Sequence, residues 1–95
     1  IKKRIKAALI KAAEACGATI LSIDLHVFSP NQGVSGVVIL KESHISIHTW
    51  PEYDYAAIDI FVCGNIDPKL AIPVLESEFK TTNIEVQEIK RGRLS

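Results

Sequence analysis

The chain has 95 residues, 47% hydrophobic and 23% charged, and its eleven basic and eleven acidic side chains cancel to a formal net charge of zero. That length builds one small domain, residues 1–95, and not two. The charge balance excludes the basic excess expected of a nucleic-acid or anionic-membrane partner, and no apolar run approaches the roughly 20 residues of a membrane span.

In chain order, Ile1, Ile5, Leu9, Ala12 and Cys16 recur at helical spacing, with Lys2, Lys3, Lys6 and Lys11 largely off that stripe. The pattern predicts an amphipathic helix over residues 1–16, stopped by Gly17. From Thr19 the period becomes two: Leu21, Ile23, Leu25 and Val27 point one way, and Ser22, Asp24, His26 and Phe28 the other. This is a strand with one apolar face, closed by a turn over residues 29–33. Residues 34–41, 44–50 and 55–63 read as three more strands. Ile45 and Ile47 oppose His44, Ser46, His48 and Trp50; Ala56, Ile58, Ile60 and Val62 oppose Ala57, Asp59, Phe61 and Cys63. Pro51 breaks the chain between the last two. Asp67-Pro68 is an N-cap and first-turn proline. Leu70, Ala71, Val74, Leu75 and Phe79 then form a helical stripe that Pro73 should either kink or loosen in its first turn. A last short strand is expected over residues 84–89, followed by a polar, frayed tail.

Helix, four strands joined by short connections, helix and strand imply an α+β two-layer sandwich. Its sheet is mainly antiparallel, with both helices on one face. The other face carries Asp24, His26, Phe28, His44, His48, Asp59 and Cys63. Imidazoles, a thiol and aromatics are less typical of a plain wet surface than Lys, Glu and Thr. No metal is expected, because His44 and His48 on one strand are roughly 13 Å apart. Gly33-Val34-Ser35-Gly36-Val37 lacks the second glycine of a nucleophile elbow and precedes a strand rather than a helix. Cys63 alone is more often a small buried hydrophobe, Phe28 and Trp50 more often packing residues, and Glu52 a solvated carboxylate.

The run from Gly33 to Glu52 contains Glu42-Ser43-His44 and His48-Thr49-Trp50-Pro51-Glu52. It continues through Tyr55 to Cys63-Gly64. It closely resembles the signature of the prokaryotic, pyruvoyl-dependent S-adenosylmethionine decarboxylases. The resemblance implies a precursor that cuts itself between Glu42 and Ser43. Ser43 would attack the Glu42 carbonyl, and Ser35 would help hold the cyclic intermediate. His48 would take the Ser43 α-proton, leaving a covalent pyruvoyl group at residue 43 and a new C-terminus at Glu42. That group would capture the substrate amine as a Schiff base and act as the electron sink that decarboxylation needs. Cys63 would donate the replacing proton. An ordinary thiol is mostly protonated at neutral pH, as that role requires. Glu52 would bind ribose hydroxyls, with Phe28 and Trp50 at the nucleoside.

The family pattern also has a strand before the first helix. This chain starts at the helix, with Ile1 rather than Met, so that strand is expected to be missing. The turn before Gly33 is one residue longer than the common form, which is expected to shift Phe28, and Lys41 has no reading. The implied activity is S-adenosylmethionine decarboxylation for spermidine and polyamine synthesis, in a homodimer of cleaved protomers. Two cysteines form no disulfide scaffold, no signal peptide is visible, and a cytoplasmic location is expected. The alternatives are a decarboxylase of the same fold acting on arginine or ornithine, and an unprocessed, non-catalytic relative.

Overall fold

A computed structural model describes residues 2–63 and 66–89. The expected helix start at Ile1, the Gly64 step and the tail over residues 90–95 lie outside the described residues. The order is α1 (Lys2–Cys16), β1 (Ile20–Phe28), β2 (Gly33–Leu40), β3 (Ser43–Trp50), β4 (Tyr55–Val62) and α2 (Ala71–Phe79). Short 3₁₀ turns at Pro51–Tyr53 and Pro68–Leu70 precede β4 and α2.

Helix α1 ends as Gly17 predicts. Gly17 adopts φ 79°, a conformation that glycine enters without Cβ strain. Its amide donates to Glu14 O and the Ala18 amide to Ala13 O, both at 3.0 Å, which satisfies the last carbonyls of the helix. The α1 stripe buries Ile5, Ala8, Leu9, Ala12, Ala13 and Cys16. Burial pushes the Cys16 thiol above its ordinary pKa.

The four strands pair antiparallel in sequence order, β1-β2-β3-β4. Ile5, Leu9 and Ala13 pack on Leu25, Val34, Val38, Leu40, Ile45 and Ile47. Ala12 and Cys16 meet Ala71, with Val74, Leu75 and Ile60 alongside. Both helices therefore cover one sheet face, as the alternation predicted. Each large aliphatic side chain buried there stabilises the fold by about 1.5–3 kcal/mol. Gly36 sits on this covered face opposite Leu25. A Cβ there would come within 2.5 Å of the Asp24 carbonyl oxygen, so only glycine lets β1 and β2 approach.

Four expectations change. Leu21 does not face inward. The β1–β2 register slips between Ile20 and Ser22, and this bulge turns Leu21 outward, leaving it 63% exposed. Pro73 does not kink α2. The helix begins at Ala71, so Pro73 lies in a first turn whose amides have no intrahelical partner anyway. The Asp67 carboxylate does cap, but it caps the preceding 3₁₀ turn, accepting from the Lys69 amide at 3.0 Å, and Leu70 stays exposed. Residues 84–89 form no strand. Ile84, Val86 and Ile89 are exposed, and no described strand pairs with this segment. Alternation alone does not make a strand where no sheet edge receives it.

Candidate active site

The open face of the sheet is ordered by its ladders. Ser35 lies opposite His48 on β3 and His26 on β1, and His48 lies opposite Ala57 on β4. Two rungs along, Ile39 faces His44, and His44 faces Phe61. At the end of the sheet, Leu40 and Val62 flank Ser43.

Lys41 and Glu42 form the two-residue turn from β2 to β3, so the Glu42–Ser43 peptide leaves a tight hairpin. Thr19 holds that turn from outside the hairpin. Its carbonyl accepts from the Lys41 amide at 2.9 Å, and its own amide donates to the Glu42 carboxylate at 3.0 Å. The backbone contribution of Lys41 is thus a tie to the α1–β1 connection. Ser43 adopts φ 154°, in the positive range that L residues rarely enter, so the peptide sits next to a strained residue. The Cys63 thiol donates to the Glu42 carbonyl oxygen at 3.3 Å. Ser43 Oγ lies 3.3 Å from His44 Nδ1, and His44 Nε2 lies 3.9 Å from Asp59 Oδ2. One hairpin end therefore gathers a strained peptide, a hydroxyl, an imidazole, a carboxylate and a thiol.

The other end of the open face holds a second set. Ser35 Oγ lies 3.4 Å from His48 Nε2. The His48 ring stacks on Trp50 with centroids 5.8 Å apart, and Trp50 meets Tyr55 at 5.4 Å. Phe28 meets His26 edge to face at 4.6 Å. The Asn31 side-chain amide donates to the Glu52 carboxylate at 2.8 Å, which ties it to the β1–β2 turn. Ser35 thereby shares the open face with His48.

The candidate residues thus fall into two groups. Glu42, Ser43 and Cys63 come together; so do Ser35, His48 and Trp50, while Phe28 meets His26 and Glu52 meets Asn31. The groups do not meet within the chain, since Ser43 and His48 are five residues apart on one straight strand, roughly 16 Å. Asn31, Tyr55 and Thr19 were missed by the sequence reading. Tyr55 had a signal, because hairpin pairing across the Pro51 turn places it opposite Trp50. Thr19 and Asn31 had none, since their contacts depend on how two turns pack.

Known proteins resemble the chain in sequence and in fold. The S-adenosylmethionine decarboxylase family pattern matches residues 2–92. An S-adenosylmethionine decarboxylase proenzyme of Methanococcus maripaludis is 53% identical over 89 residues, covering 93% of this chain and 72% of that protein. A proenzyme of the same name from Moorella thermoacetica is 47% identical over 91 residues, covering 95% of this chain and 72% of that protein. The crystal structure of the adenosylmethionine decarboxylase of Aquifex aeolicus superposes with a TM-score of 0.75 at 30% identity, over 96% of this chain and 79% of that one. The chain belongs to the S-adenosylmethionine decarboxylase family.

Proposed function

We propose that this chain is the precursor of a pyruvoyl-dependent S-adenosylmethionine decarboxylase, and that it cuts itself between Glu42 and Ser43. The observation that carries the reading is the hairpin end: a Cys63 thiol on the Glu42 carbonyl at 3.3 Å, next to Ser43 at φ 154°. A hydrogen bond to that oxygen polarises the carbonyl and favours attack by the adjacent hydroxyl. Strain at the peptide is relieved as its bond is exchanged for an ester. The residues suit the prosthetic group: Ser43 would become it, and Cys63 stands beside it. A pyruvoyl ketone supplies an electron sink for the carbanion left by decarboxylation. Cys63 carries the proton that replaces the carboxylate, a role that suits a reducing compartment such as the cytosol.

Substrate recognition falls to the other end. Trp50 and Phe28 offer flat apolar surface for a nucleoside base, and Glu52, held by Asn31, offers a carboxylate to ribose hydroxyls. The product would be an aminopropyl donor for spermidine synthesis. The arginine and ornithine alternatives gain no support, since the related proenzymes at 53% and 47% identity carry the S-adenosylmethionine name.

The separation of the two ends supports a homodimer. His48 can reach a Ser43 only on a second copy, and a two-fold contact between open faces would place each end of one chain over the opposite end of the other. Phe28, Ile39, Trp50, Tyr55 and Phe61 give that face the apolar surface an interface needs. Intact-mass measurement after incubation tests the reading. Two fragments dividing between residues 42 and 43 are expected; a chain that stays whole in the dimeric state would sink it.

A further inference from the structure

Each end of the sheet carries a serine–histidine pair, and only one of these pairs includes the residue that would be cut. Ser43 Oγ lies 3.3 Å from Nδ1 of its sequence neighbour His44. The opposite ring nitrogen of His44 faces Asp59 across the β3–β4 ladder, at 3.9 Å. The ring itself leans on Phe61, with centroids 5.6 Å apart. Hydroxyl, imidazole and carboxylate thus stand in sequence within one chain, with an aromatic side chain fixing the ring. The roles that the family resemblance assigns leave His44 and Asp59 without a function.

We propose that His44, oriented by Asp59, is the base that activates the Ser43 hydroxyl for self-cleavage, an inference that rests on the cleavage reading above. A carboxylate facing Nε2 favours the tautomer protonated there. Nδ1 is then left as an acceptor directed at the Ser43 hydroxyl. Serine is a weak nucleophile until such a base takes its proton. As the Ser43 oxygen bonds to the Glu42 carbonyl carbon, its proton moves to His44 Nδ1. The carbonyl electron pair moves onto the Glu42 oxygen, where the Cys63 thiol donates. Collapse of this adduct restores the carbonyl and breaks the bond to the Ser43 nitrogen. That nitrogen takes the proton from His44. The products are an ester and an amine, and His44 is neutral again. Asp59 stabilises the imidazolium that exists between the two transfers.

This assigns the two imidazoles to successive steps. His44 acts in its own chain, before the ester exists; His48 acts afterwards, on the α-proton of Ser43. The difference can be read with hydroxylamine, which cuts an ester and spares a peptide. H44Q is expected to stay whole and resist hydroxylamine, with cleavage slowed by roughly 10²-fold or more, the usual worth of a general base. H48A is expected to stay whole by mass and yet be cut by hydroxylamine at residue 43. Free imidazole should restore part of the rate to H44A, which guards against reading a folding defect as a chemical one. Asp59 is a positioning residue, and its readout is the His44 tautomer. In the uncuttable S43A chain, nitrogen–proton correlation NMR should find His44 protonated on Nε2, and D59N should erode that preference.

An H44Q chain that cleaves at the wild-type rate, or an S43A chain whose His44 is protonated on Nδ1, overturns the assignment while leaving self-cleavage intact. A wild-type chain that never cleaves overturns self-cleavage and this step together.

Discussion

The two ends of the sheet are built from similar groups to different effect. At the hairpin end, Ser43 and His44 are neighbours in sequence, and the carbonyl to be attacked belongs to the preceding residue. At the far end, Ser35 and His48 are partners across a ladder, and the His48 ring stacks on Trp50. The first set is a local arrangement, complete in one tight turn. The second depends on strand register and stands roughly 16 Å from the bond it would serve. On the proposed reading such a site is completed by association, so cleavage and turnover should both be sensitive to pairing of chains.

The largest effect should come from the hairpin end. S43A should abolish cleavage altogether, with intact mass showing only the whole chain after prolonged incubation; any cut between residues 42 and 43 would place the nucleophile elsewhere. The next test addresses the division itself. S43A and H48A should each stay whole when expressed alone. Co-expressed, they should yield fragments of the H48A chain from about half of its copies, the share that random two-fold pairing places beside an S43A partner. Absence of fragments in a verified mixed dimer would return His48 to its own chain and break the comparison.

Smaller effects should come from the far end. W50A should raise KM for S-adenosylmethionine by roughly three- to tenfold, the worth of one aromatic contact, and should lower kcat less. An equal loss in kcat with KM unchanged would move Trp50 out of substrate binding. The smallest effect lies outside both ends. Burial raises the Cys16 pKa in the folded state, so the folded chain holds that proton more tightly than the unfolded chain does. The stability associated with it is fully present below the unfolded cysteine pKa and declines as pH rises above it. Denaturant midpoints measured at increasing alkaline pH should fall less in C16A than in wild type.

Much of the frame was legible in the sequence because its signals are local. Period-two alternation gave β3 and β4 their faces, and the glycine after Cys16 stopped α1 where expected. The Glu42-Ser43-His44 core, with Cys63 at a strand end, located the hairpin end through family resemblance. What failed also has physical reasons. Leu21 was misplaced because a bulge flips the phase of a strand without changing its composition. Residues 84–89 alternate like a strand, yet a strand needs a partner edge, and sequence pattern carries no information about one. Pro73 was read against a helix that begins two residues before it, and boundaries are what periodicity fixes least well.

By itself, the sequence determined which residues are apolar at which period, and therefore the two layers, the covered face and the chemical groups left on the open one. Only the tertiary structure decided how those groups combine. Strand register put Ser35 against His48 and left Asp59 diagonal to His44, and the packing of Thr19 on the β2–β3 turn holds the strained peptide in place. Those pairings rest on contacts between residues distant in the chain, and such contacts exist only once the sheet has formed.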